Sequence, residues 1–148
     1  VNHLFDKKIC MVVLGAAKLQ NFAVSLFYPK DKILFVSKSG CYQQTLELIK
    51  EKLDKGYYIF TYIEKDYYKR PKKYSISTIR SGMFRIAKEL NTMITPVVCD
   101  HIDHFQGLFC NETYRIYIDK SRYIENIDDE IQSVTSLFSR KLKTFKIK

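Results

Sequence analysis

The segment Tyr57 to Ile63 reads YYIFTYI, aromatic or β-branched at every position. A run like this has no polar face. It predicts a strand in the middle of a sheet, covered on both sides, and that requirement points to a sheet with helices packed over it. Ile33 to Ser37 (ILFVS) reads as a second buried strand, entered from the turn-forming Pro29-Lys30-Asp31. Ile9 to Leu14 is rich in Val and Ile and fits either a strand or the end of a buried helix, which periodicity alone does not separate.

Between these runs the pattern changes period. From Tyr42 to Leu53 the apolar residues Leu46, Ile49 and Leu53 share one face while Glu47, Lys50, Glu51 and Lys52 take the others, which predicts an amphipathic helix closed by Gly56. Ser81 to Leu90 repeats the pattern with Met83, Ile86, Ala87 and Leu90, and an apolar strand from Met93 to Cys99 follows. After a polar connection, Tyr114 to Ile118 (YRIYI) predicts a last strand. Asp128 to Leu142 predicts a last helix with Ile131, Val134, Leu137 and Phe138 inward, its acidic start suiting the helix dipole. Strand and helix in alternation predict an α/β fold with a mostly parallel central sheet covered by helices.

Nothing interrupts this order: there is no internal repeat, low-complexity tract or Gly/Ser linker, so residues 1–148 are expected to form a single domain. At 148 residues, with 46% hydrophobic and 28% charged residues, the chain can bury a core without disulfides or metals. It begins at Val1 rather than Met, which leaves room for residues upstream. Cys10, Cys41, Cys99 and Cys110 form no CxxC pair and read as reduced thiols of a cytoplasmic protein. The longest apolar run, Ile9 to Ala17, falls short of the roughly 20 residues a membrane span needs, so the expected location is soluble or on a membrane surface.

Charge bears on partners more than on chemistry. With 25 Lys and Arg against 16 Asp and Glu the net charge is +9, which favours phospholipid headgroups, nucleic acid or phosphorylated small molecules. An AT-rich coding sequence would produce the same abundance of Lys, Ile, Tyr and Asn. Lys69, Arg70, Lys72 and Lys73 cluster in one loop, where solubility alone is a sufficient explanation. In DYYKRPKKY tyrosines interleave with cations, the general recipe for single-stranded nucleic acid, though no recognition motif accompanies it and nucleic acid is the disfavoured partner. His101 and His104 enclose Asp103 but lack the spacing of a zinc motif, so no metal is expected. Glu64 ends an apolar run and requires a sheet edge or a cationic partner, because an unpaired buried carboxylate is costly.

Several of these segments resemble the superfamily of glycerol-phosphate and lysophosphatidate acyltransferases. In that family a helix ends at glycine and a hydrophobic strand leads into Phe-Pro-Glu-Gly-Thr-Arg, with the glutamate eight positions after the glycine. Here Gly56 is followed by YYIFTYIEKD, and Glu64 holds that place. The family's Lys-Lys-Gly-Ala-Phe segment and its following strand are similar to IRSGMFRIAKELNTMITPVVCD, with Gly82, Phe84, Ala87 and Pro96 in register. ILFVSKSG resembles a substrate-binding strand that normally ends Asp-Arg-Ser, so that Lys38 stands for the arginine. The resemblance runs over nearly the whole chain.

It departs from the family at the motifs. The catalytic Asn-His pair with its HxxxxD spacing is represented by VNHLFDKK, where Asn2, His3 and Asp6 are present but two residues intervene instead of four. Ile63, Lys65 and Tyr67 stand where the glutamate motif has Pro, Gly and Arg. The resemblance implies His3 as general base on an acceptor hydroxyl, with Asp6 orienting the imidazole. Lys38, Glu64, Lys69, Arg70 and Gly82 would bind the substrate, the two loop cations replacing the motif arginine. It further implies a lysophospholipid or glycerol-phosphate acceptor, acyl-CoA or acyl carrier protein as co-substrate with no bound cofactor, and work at an anionic membrane surface in phospholipid biosynthesis. Two alternatives stay open: a catalytically inactive domain of the same type that binds lipid or a protein partner, and a basic nucleic-acid-binding module.

Overall fold

The computed structural model describes residues 9–14, 32–36, 42–64, 76, 78–106 and 109–146. The chain divides into two compact units, Val1–Tyr62 and Ile63–Lys148. Helices and strands mix in an α/β arrangement with two short sheets.

In the first unit, strands β1 (Ile9–Leu14), β2 (Ile33–Val36) and β3 (Tyr58–Thr61) form a parallel sheet in the order β2-β1-β3. β1 pairs Met11 with Ile33 on one side and Ile9 with Tyr58 on the other. Its sequence ICMVVL therefore belongs to the middle strand, where Cys10 and Val12 are buried. The aromatic run expected at the centre is instead β3, at the end of this order, and Tyr58, Phe60 and Tyr62 are exposed. The reason is chemical: aromatic and β-branched residues favour extended backbone, but a tyrosine keeps a hydroxyl that is content in water. Composition thus fixed the conformation of this segment and not its burial.

Helix α1 (Tyr42–Asp54) buries Leu46 and Ile49, as the apolar spacing requires. It ends where Gly56 takes φ +77°, a left-handed conformation that glycine adopts without strain. The Gly56 amide donates to the Leu53 carbonyl at 2.9 Å and the Tyr57 amide to that of Lys52 at 3.0 Å, so the last turn's carbonyls are satisfied and the chain reverses into β3.

In the second unit, helix α2 (Gly82–Glu89) buries Phe84 and Ile86. It closes through Asn91 at φ 48°, where the Asn91 and Thr92 amides donate to Lys88 and Ala87 carbonyls. Strands β4 (Val97–Gln106) and β5 (Phe109–Ile118) then pair antiparallel, from Val97 with Ile118 to Gln106 with Phe109. This corrects two expectations, since the polar connection is strand and the last strand is not parallel to its neighbour. A parallel partner needs a crossover of a dozen or more residues, usually helical, and no apolar helical period lies between Cys99 and Tyr114. A polar stretch can also sit in an antiparallel ladder, which tolerates water on one face.

Helix α3 (Ile127–Lys146) starts where the Asn126 side-chain oxygen accepts from the Asp128 amide at 2.9 Å, and Asp128, Asp129 and Glu130 fill its first turn. Val134, Leu137, Phe138 and Leu142 form with Phe84, Val98 and Ile124 the core of this unit, and Ile63, Ile79 and Ile131 pack against it.

Candidate functional site

Glu64 closes the segment that begins in β3, three residues past Thr61, and only 8% of its surface is exposed. Burial of a carboxylate demands a polar or charged partner, and Glu64 does have a hydrogen-bonding or electrostatic interaction. Its backbone forms an antiparallel bridge with Ile79. Next to that bridge, the Arg80 amide donates to the Ile63 carbonyl at 2.8 Å. Ile63 and Ile79 both pack on the core of the second unit, which explains why the two segments meet there: each carries an apolar residue that must leave water. Ser81 and Gly82 follow at once and open α2.

Two segments well separated in sequence are thereby brought together, and they are the two that carry the resemblance in the middle of the chain. Glu64 and the IRSG stretch adjoin through the backbone. Ser81 stands at the N-cap of α2 without a side-chain hydrogen bond to the first turn. At Gly82 an added Cβ meets no heavy atom of the described residues within 4 Å, so no close approach among them requires glycine there. A buried carboxylate is chemically able to accept hydrogen bonds from hydroxyls. It does not by itself supply a nucleophile or a base with a partner.

The chain matches no protein-family model and no curated protein.

His3, Asp6, Lys38, Lys69 and Arg70 lie outside the described residues. In the first unit, the parallel direction of β1, β2 and β3 gathers Leu14, Val36 and Thr61 at one edge, the carboxyl edge at which open parallel sheets receive ligands. Among the described residues no three His, Cys, Asp or Glu side chains come together as a metal site would need, and no helix is long and apolar enough to cross a membrane.

A second polar cluster escaped the sequence reading. Arg122 donates from Nη2 to Glu130 Oε1 at 2.7 Å, from Nε to Oε2 at 3.2 Å, and from Nη1 to Asp119 Oδ2 at 2.7 Å. Its backbone pairs with Ile94 in both directions, at 2.9 and 3.0 Å, and beside it the Thr95 and Ser121 hydroxyls are 2.7 Å apart. Hydrogen bonding to Glu130, then to Asp119, raises the pKa of Arg122 above its ordinary value. The guanidinium in turn holds the Asp119 carboxyl below the usual aspartate range, helped by the Lys120 amide and the Tyr117 hydroxyl. Both acids are engaged, so the cluster clamps the segment after β5 to the first turn of α3. The signal in sequence was slight: Asp119 and Arg122 are three apart, and Glu130 lies beyond a cap that only the fold brings back.

Proposed function

We propose that this chain is an acyltransferase of the glycerolipid type, moving a fatty acyl group from an acyl thioester to the hydroxyl of a lysophospholipid or glycerol-phosphate-type acceptor. The observation that supports this reading is the Glu64–Ile79 bridge, which adjoins the glutamate segment to the glycine-bearing helix start. In this reading the chain is acyltransferase-like and works peripherally at an anionic membrane surface.

The chemistry assigned to the residues is as follows. The His3 imidazole accepts the proton of the acceptor hydroxyl, and Asp6 holds the other ring nitrogen in the right tautomer. The freed oxygen attacks the thioester carbonyl. The carbon–sulfur bond of the resulting tetrahedral intermediate breaks, and the thiolate leaves with the proton returned by His3, giving ester and free thiol. By the resemblance Glu64 is assigned to a hydrogen bond with the acceptor, and Lys38, Lys69 and Arg70 to its phosphate, the group for which cationic side chains are suited.

Full-length protein incubated with acyl-CoA and lysophosphatidate should release free CoA. His3→Ala should cut that release by about 10²–10⁴-fold with an unchanged circular dichroism spectrum. Turnover that survives His3→Ala overturns the assignment of the base.

A second reading is favoured by one feature of the sequence, the two-residue gap between His3 and Asp6 together with Ile63, Lys65 and Tyr67 in the glutamate segment. It is a lipid- or protein-binding domain of the same type without turnover. Binding of lysophosphatidate with no thiol released from any acyl donor would select it.

A further inference from the structure

We draw no further inference here: the strongest candidate, the exposed aromatic patch of Tyr58 and Phe60 on β3 with Tyr62 just after it, carries nothing because the structure does not show what covers it.

Discussion

The two units solve the same problem of holding strands together by different means. In the first, β1 finds both of its partners in parallel, and those partners come from distant parts of the chain. Among its described residues an ion pair, Lys55 with Glu51, joins two well-exposed side chains at the end of α1, a kind of contact that contributes little. In the second, β4 and β5 are near neighbours in sequence, and the strand end is fixed to α3 by Arg122 between two partly buried carboxylates. Parallel pairing must close long loops before any contact forms, whereas an antiparallel neighbour closes a short one. In the second unit, directional polar bonds thus fix how strand and helix meet.

The largest expected effect lies in the apolar cores, where the units should behave alike. Leu142 in the second unit and Ile49 in the first are 1% and 2% exposed. Truncation of either to alanine should cost about 2–5 kcal/mol, the transfer of the lost methyl groups plus the cavity left behind. Urea denaturation measures this. A loss well under 1 kcal/mol at Leu142 would mean that α3 is not seated on the core as described.

The polar clamp is where the units should part company. Arg122→Ala leaves Glu130 without its bidentate partner and should cost about 1–3 kcal/mol, while Arg122→Lys should recover only part, because an ammonium lacks the planar fork. A double-mutant cycle with Glu130→Gln separates the pair's coupling from either single loss. The clamp also carries a pH signature. Asp119 has a depressed pKa in the folded state, so its contribution is complete above the unfolded aspartate value and is lost as pH falls through the lower folded one. Acid titration of stability should thus be shallower in Arg122→Ala than in the parent, and identical slopes would remove Arg122 as the cause.

A smaller effect belongs to the start of α3. Asn126→Ala removes the oxygen that receives the Asp128 amide at 2.9 Å and the Asp129 amide at 3.4 Å. Caps of this kind are worth about 1 kcal/mol. A thermal melt of the variant that superimposes on the parent's would show that the acidic first turn suffices without the cap.

The helices were the most legible elements, because an apolar period of three and four with Gly56 or an acidic start at its ends has one physical interpretation. α1 and α2 fall within a residue or so of their expected bounds, and α3 extends to Lys146. Strand existence was legible too, whereas strand partnership was not. YYIFTYI announced extended backbone, yet the middle place went to ICMVVL, since composition reports conformation and half-burial equally well. The antiparallel β4 and β5 were hidden for a related reason: backbone pairing satisfies amides and carbonyls whatever side chains alternate along it. Of the candidate site, Glu64 and Gly82 were singled out only by their register with a family pattern, which does not foretell the Glu64–Ile79 bridge. The Arg122 clamp was not singled out at all, because neither a motif nor a periodicity links residue 122 to residue 130 before the chain is folded.

The smallest effect on stability, and the sharpest on function, is expected at Gly82. Glycine costs unfolded-state entropy, and here it is the first residue of a helix, with no described residue within 4 Å of where a Cβ would stand. Gly82→Ala should therefore be neutral or stabilise by up to about 1 kcal/mol, mainly by restricting the unfolded chain. Among the described residues nothing gives a steric reason for glycine there. On the proposal that the backbone at the start of α2 receives the acceptor headgroup, Gly82→Ala should raise KM for lysophosphatidate several-fold at unchanged kcat, the pattern of lost ground-state binding. A variant with parental KM would take Gly82 out of the binding surface and leave Glu64 as the part of that site to be tested next, through Glu64→Gln.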